Sequence, residues 1–385
     1  MAAPRRLFVL PSLGRCLCSA LFIFGCLASP LLAHEADSPR RNLQTVLGNA
    51  AQRPDLIETV AHSSGYTFLN DREEMLDDLL KARREAAALE SSVRRFEYRP
   101  GDEEPLIRRL QSLDNTATTF QAGIGLVIGG PVFDDRYTVS AQAHTRFAGT
   151  FDYVESDEPK LRLAPVIAFF ELSELESRAR VSGYGVGEVA LHRRLDEVKI
   201  PATTVSTSLK YQAISLYERE VPIQDYRESD FFELSGFTRD FHRANVDLSS
   251  STELGRWRVG LTLRDLFEST YRGPRGSTFH LRTRGELRVD YQFDWAQVSL
   301  FQDLTPQPAF GEMKGRRETV LGVEKPISRR FVIGASYMHV ARDRDNDSLS
   351  LSLSYHLLDS FYIGVTGTAA SDRELGGAFR LQLPF

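Results

Sequence analysis

Residues 348–356 read Ser-Leu-Ser-Leu-Ser-Leu-Ser-Tyr-His, so Leu349, Leu351, Leu353 and Tyr355 fall on one side of an extended chain and the serines on the other. A period of two is what a strand shows when one face meets an oily medium and the other a polar one. The rhythm continues in Phe361, Ile363 and Val365, and in the closing run Phe379, Leu381, Leu383 and Phe385 share a face. Earlier in the chain Phe120, Ala122, Ile124, Leu126 and Ile128 keep the same spacing, and Tyr137, Val139, Ala141 and Ala143 alternate with Thr138, Ser140, Gln142 and His144.

Thirteen such segments start near residues 120, 137, 179, 202, 241, 257, 279, 295, 317, 331, 348, 361 and 375. Many are about ten residues long, enough for a tilted strand to cross a bilayer. Short links (Glu253-Leu254-Gly255, Phe293-Asp294, Leu358-Asp359) alternate with long ones (residues 149–178, 218–240, 267–278, 305–316). Short turns at one mouth and long loops at the other mark an outer-membrane barrel. A soluble β-sandwich also alternates but has no reason to sort its links by length.

Single-chain bacterial barrels have an even number of strands, so one strand is missing from the thirteen. Residues 57–68 and residues 163–172 are the candidates; the first places both barrel ends at the periplasmic mouth. The expected fold is therefore all-β, a transmembrane antiparallel β-barrel of about 14 strands (12 to 14) with an N-terminal helical insertion. Its divisions are a signal peptide (1–33), an N-terminal segment with a possible first strand (34–69), a helical hairpin (70–114) and the barrel (115–385).

The signal-peptide reading rests on Arg5, Arg6 and Arg15 ahead of the apolar run from Cys16 to Leu32, with a cleavage point after Ala33. It implies export and, with the strand pattern, residence in a Gram-negative outer membrane. Cys26 as a lipidation site is the lesser alternative. All three cysteines (Cys16, Cys18, Cys26) lie inside this segment, which leaves the exported part without a thiol for disulfide, zinc or nucleophile chemistry. Losing those arginines makes a chain of formal charge -5 more acidic still, which argues against a nucleic-acid partner.

Before the strands the period is that of a helix. Met75, Leu79, Ala82, Ala86, Leu89, Val93 and Phe96 recur at spacings of four and three, and Leu106, Ile107, Leu110 and Leu113 mark a shorter helix after Pro105. Asn70 and Glu73 have the spacing of a capping box. The expectation is two helices packed on each other as a solvated hairpin on the extracellular side. An envelope protein partner docking on the hairpin is the sharper alternative.

Several segments, taken in order, resemble the TraF-like outer-membrane family of plasmid conjugal transfer, itself similar to the barrels of the long-chain fatty-acid transporter superfamily. They are Leu47-Gly48-Asn49-Ala50 with Pro54 and Leu56, Asp71 to Leu80, Phe120 to Gly129, Gly185 to Leu191, Ser208-Leu209-Lys210-Tyr211-Gln212, Trp257 to Phe267, and Asp303-Leu304-Thr305. The family's early Asn-Pro-Ala turn is replaced by Asn49-Ala50-Ala51-Gln52-Arg53-Pro54. The resemblance implies a barrel in the outer membrane that admits a small apolar or amphipathic solute, or else a docking component of a conjugation or other envelope assembly. Fold alone does not choose between these.

If the apolar parity faces lipid, the opposite parity lines the lumen. The lumen-lining candidates are His280, Arg282, Arg284, Glu286, Arg288 and Asp290 on one strand, Arg258 and Arg264 on the strand before it, and Glu188, His192 and Lys210. Such residues either set the selectivity of a pore or neutralise one another in a filled barrel; both signs are present, as the second reading requires. His144, His192, His280 and His339 lie in separate strands without metal spacing, and no barrel-enzyme motif is present, so neither metal, cofactor nor catalytic residue is expected. The acidic stretch from Glu218 to Asp240 reads as a surface loop more than a calcium site. Trp257, Trp295 and Tyr362 suit an interfacial girdle against outer-membrane lipid. The strand ending at Phe385 is the form barrel-assembly machinery would receive.

Overall fold

In the computed structural model, residues 60–71, 74–129, 137–163, 175–195, 202–223, 226, 236–341, 347–356, 361–370 and 374–384 are described. The signal-peptide reading, the early Leu47-to-Leu56 segment and Phe385 lie outside them.

Alternation becomes a wall. The strands are β1 (Val60–Asn70), β2 (Ala117–Gly129), β3 (Tyr137–Asp152), β4 (Arg178–Arg194), β5 (Thr203–Pro222), β6 (Thr238–Leu254), β7 (Trp257–Arg264), β8 (Ser269–Arg272), β9 (Thr278–Leu281), β10 (Arg284–Gln292), β11 (Gln297–Asp303), β12 (Arg317–Pro326), β13 (Phe331–Ala341), β14 (Ser348–His356), β15 (Tyr362–Ala370) and β16 (Glu374–Pro384). All but β8 and β9 pair in an antiparallel ring, which closes between β1 and β16 with Val60 opposite Pro384 and Asn70 opposite Glu374. Closure leaves no unpaired strand edge, which a bilayer would not tolerate. The fourteenth strand is β1.

Seven strands up and seven down sort the links. Residues 130–136, 195–202, 255–256, 293–296, 327–330 and 357–361 join strands at the mouth that also holds both ends of the wall. Residues 71–116, 153–177, 223–237, 265–283, 304–316, 342–347 and 371–373 join them at the other. In outer-membrane barrels the short-link mouth is periplasmic.

Strand β14 shows the two faces clearly: Leu349, Leu351 and Leu353 are 56%, 64% and 47% exposed, while Ser348 and Ser350 are 2% exposed. Val189, Leu209, Tyr211, Leu261, Leu321, Ile333 and Phe379 extend the exposed apolar columns around the barrel. At the short-link mouth the Trp257 and Tyr291 rings meet tilted at 4.5 Å between centroids, Tyr291 meets Phe293, and Lys325 lies over the Trp295 ring, a belt at the lipid boundary.

The helices depart from expectation. Helix α1 (Met75–Arg94) and helix α2 (Glu104–Leu113) form where their stripes recur, but α1 starts after Glu74, which sits at φ 55 without a side-chain cap. Asn70 is instead the last residue of β1. Nor is the hairpin solvated on all sides. The α1–α2 stripe packs on Phe147, Phe151, Ala179, Val181, Tyr217 and Val221, odd-numbered residues of β3, β4 and β5. These share a parity with exposed Val189, Leu209 and Tyr211, so the hairpin lies on the outside of the wall, beyond the lipid-facing columns. Gly183 allows it: a Cβ there would strike the Phe147 ring, which lies across the strand beneath the helices. The short helix α3 (Asp157–Leu163) ends at the first residue of the other candidate strand, whose remaining residues 164–172 lie outside the described ones, and buried Asp157 ties the helix down by accepting the backbone N–H groups of Glu176 and Ser177 at 2.8 and 2.7 Å.

Candidate functional site

The lumen is tiered, and β5 reads the tiers from the short-link mouth upward as Ser206 and Ser208, then Lys210 and Gln212, then Ile214 and Leu216, then Glu218 and Glu220. These even-numbered positions face inward, opposite in parity to the lipid-exposed Leu209 and Tyr211.

The lowest tier is a hydroxyl belt. Ser206 meets Ser249 at 2.9 Å, and His192 bridges Ser140 (2.7 Å to Nε2) and Ser208 (2.6 Å to Nδ1), tying β3, β4 and β5 together across the inner face.

Above it lies a closed network of charge. The Lys210 ammonium, its side chain 1% exposed, stands 2.8 Å from both Asp247 and Asp265 and 3.6 Å from Glu188. Arg284 holds Asp265 at 2.9 Å, and Arg264 holds Glu286 at 2.8 Å and reaches Asp247 at 3.9 Å. Gln212 donates to Glu188 and Asp265, both at 3.0 Å, and Gln142 donates to Glu188 from the neighbouring strand. Three cations and four carboxylates thus share one buried patch of wall. In so dry a place each ion is tolerable only because its partners are in contact.

Asp265 is the hinge of this arrangement. It follows β7 at φ 56, is fully buried, and receives the Asn245 amide at 3.3 Å; its own N–H goes to Asp247 at 2.8 Å. The chain leaves the wall there and returns at Arg284. Between these points β8 and β9 pair with each other around Gly276, whose φ of +102 permits the turn.

The third tier is apolar. The β9 residues Phe279 and Leu281, with Phe310 and Met313 from link 304–316, pack against Ala148, Tyr184, Val186, Ile214 and Leu216 on the inner wall. Phe279 is fully buried, 5.0 Å from Tyr184 and 6.1 Å from Phe310 between ring centroids. Two links have therefore folded into the barrel mouth. The Ser182 hydroxyl donates to the Phe310 carbonyl and accepts the Glu312 N–H at 2.7 Å, and Glu218 accepts the Arg275 N–H at 2.7 Å, so the wall holds both links in place.

The candidates from sequence sort accordingly. Glu188, Lys210, Arg264, Arg284 and Glu286 converge in the charged tier, with His192 beneath. Arg288 and Asp290 pair with each other at 2.9 Å lower on β10, and Arg258 joins exposed Glu253 near the short-link mouth. His280 and Arg282 are corrections. The inward series from 280 to 290 is not one barrel strand: β9 ends at Leu281, exposed His280 is 3.0 Å from Thr270 across its own hairpin, and exposed Arg282 lies between β9 and β10. The hairpin repeats the period of two, so alternation runs on past the break. Asp247, Asn245 and Asp265 were not expected. Asp247 had a signal in its alternation with Val246 and Leu248; Asp265 had none, because its role depends on leaving the strand. Glu218 and Glu220 belong to β5, not to a surface loop. Among the described residues no group of metal-ligating side chains assembles.

A closed ring of antiparallel strands with lipid-facing columns, sorted links and a filled lumen defines an outer-membrane-type β-barrel. The chain belongs to the family described as "F plasmid transfer operon, TraF, protein", whose profile matches residues 46–303. Similar solved structures include the toluene transporter TodX of P. putida, at 8% identity over 87% of this chain and 92% of that one with a TM-score of 0.48. The KdgM porin is similar at 11% identity over 54% of this chain and 98% of that one, TM-score 0.28. The outer membrane phospholipase of Salmonella typhi is similar at 10% identity over 88% and 98%, TM-score 0.33. No protein of curated function matches the chain.

Proposed function

We propose that this barrel admits a small apolar or amphipathic solute from the outside, and that links 265–283 and 304–316 are its gate. The observation that carries the reading is the apolar third tier. A barrel interior is polar whether or not it conducts, yet here the long-link mouth holds Tyr184, Val186, Ile214 and Leu216 on the inner wall under Phe279, Leu281, Phe310 and Met313 from the two inward links. An oily solute could replace those link side chains on the wall with little loss, whereas the charged tier below has nothing to offer it. The charged tier lines the β4–β10 side of the lumen below the gate and, through Asp265, anchors the hairpin.

A docking role through the helices needs a free apolar stripe, and α1 and α2 bury theirs on the barrel.

The test is a reversible lock. No cysteine lies beyond Cys26, so Ser182→Cys with Glu312→Cys introduces a single oxidisable pair between wall and gate. Oxidation should abolish uptake of a labelled aromatic hydrocarbon into vesicles bearing the protein, and a reductant should restore it. Uptake indifferent to oxidation would refute the gate; no uptake in either state, or by the unsubstituted protein, would refute the channel.

A further inference from the structure

The outer hairpin has a second face. Beyond Leu80 the exposed stripe of α1 is Arg84, Ala87, Ala88, Ser91 and Arg94, continued by Arg95 at its C-cap, with no acid among them, and the chain then turns through Phe96, 86% exposed at φ 57, to exposed Arg99. Most acids of the hairpin already have partners in it or in α3. Arg109 holds Glu85 at 2.8 Å and Asp78 at 3.1 Å, Glu90 is paired with Arg94, Glu103 receives the Tyr98 hydroxyl, and Glu104 is paired with Arg162. Two acids touch the stripe: Glu90 at Arg94, and exposed Glu97, 3.3 Å from Arg95. Arg83, Arg84, Arg99 and Arg108 have no carboxylate partner among the described residues.

The height of this surface follows from the wall beneath it. On β2 the exposed side chains of Leu126 and Ile124 give way to buried Ala122. On β4 exposed Leu191 and Val189 give way to Val181 and Ala179, and on β5 exposed Leu209 and Tyr211 give way to Tyr217 and Val221, which the hairpin covers. Apolar columns exposed to lipid thus end where the helices begin. A body fixed to the outside of a barrel at that level rests at the headgroup layer. There an exposed aromatic flanked by arginines has its natural setting: the ring at the boundary, the guanidiniums on anionic oxygens.

We infer that the exposed face of the α1–α2 hairpin binds anionic lipid headgroups of the outer leaflet that carry phosphate monoesters, with Arg84, Arg94, Arg95 and Arg99 as the phosphate ligands and Phe96 as the anchor. Planar guanidiniums suit phosphate because they donate two parallel hydrogen bonds. The hairpin then serves as a foot that fixes the height and tilt of the taller β3–β5 side of the barrel.

The protein with Ala88→Cys, labelled there with an environment-sensitive fluorophore and refolded in vesicles, reads this contact. Vesicles of phosphatidylcholine containing lipid A should quench the probe through brominated lipid at least about threefold more than phosphatidylcholine alone, and salt near ~1 M, which shortens screening to about 3 Å, should remove the difference. Arg84→Gln, Arg95→Gln and Arg99→Gln together should abolish it with the barrel still folded by heat-modifiable mobility, and the corresponding lysine variant should retain part of it. Equal quenching with both lipids, or a triple glutamine variant that behaves as the parent, overturns the inference. Soluble inorganic phosphate that removes the lipid A effect at millimolar concentration would show a free-anion site and overturn the lipid assignment.

Discussion

Lys210→Met tests whether the charged tier is as dry as its geometry implies. Methionine keeps much of the length of lysine and removes the ammonium that touches Asp247 and Asp265 at 2.8 Å and Glu188 at 3.6 Å. Four carboxylates would then face only Arg264 and Arg284. Breaking a buried ion pair from one side costs about 3–5 kcal/mol because the remaining charge has lost its partner in a low-dielectric place. That corresponds to a drop of roughly two to four decades in the folded-to-unfolded ratio. With a urea dependence of about 1–3 kcal/mol per molar, the midpoint should fall by at least about 1 M. Unfolding from detergent micelles, followed by the fluorescence of Trp257 and Trp295 and by heat-modifiable mobility, measures it. Adding Asp265→Asn should recover part of the loss, since it removes one of the stranded carboxylates, giving a coupling of about 1–3 kcal/mol in the double-mutant cycle. A loss below about 0.5 kcal/mol, the range of ordinary surface substitutions, or strict additivity would mean that water reaches the cluster, and the dry charged tier would have to be abandoned.

Phe279→Ala should open the apolar tier, costing about 3–5 kcal/mol of stability as a large-to-small core change while raising single-channel conductance in planar bilayers; conductance equal to the parent's would remove Phe279 from the barrier. The hairpin should carry its own pH dependence. Burial pushes the Glu103 carboxyl up, but hydrogen bonds from the Tyr98 hydroxyl and from the Glu103 and Gly101 N–H groups outweigh it and hold the group below its ordinary 4.5. The stability this adds is present above that value and lost as pH falls through the depressed one. Tyr98, pushed up to about 12 by burial and by Glu103, loses the same contact as pH rises through about 12. Limited proteolysis of residues 95–104 should therefore accelerate at acid pH in the parent and show no such acid limb in Glu103→Gln. A protease site inserted after Ser229 should be cut on intact cells and one at Asp294 should not, and the reverse pattern would invert the barrel in the membrane.

The wall was legible because its cause is local. Ser348 to Tyr355 alternate since each residue on an extended backbone turns its side chain opposite to the last, and lipid on one side with a polar lumen on the other selects the residue types. The even strand number supplied β1, whose own alternation is weak, and link lengths supplied the sense of the two mouths. The stripe on α1 was legible for the same reason. What covers it was not: in the sequence Phe147, Val181, Tyr217 and Val221 have the same parity as Val189 and Leu209, and nothing local distinguishes an outward residue under a helix from one under lipid.

The lumen divides in the same way. Arg284, Glu286, Arg288 and Asp290 could be read as inward from their spacing, but the same spacing drew in His280 and Arg282, because a hairpin that has left the wall still alternates. Asp265 became central only through three strangers in sequence, Lys210, Arg284 and Asn245, brought to it by register across β5, β6, β7 and β10. The sequence by itself determined that this chain makes strands with one oily and one polar face and which mouth has the long links, since each of those is a property of a backbone and its nearest neighbours, while it left the strand number between about 12 and 14. The tertiary structure alone decided that two links turn inward, that the helices lie outside, and which charges meet, because those depend on closure of the ring and on the register between strands far apart in the chain.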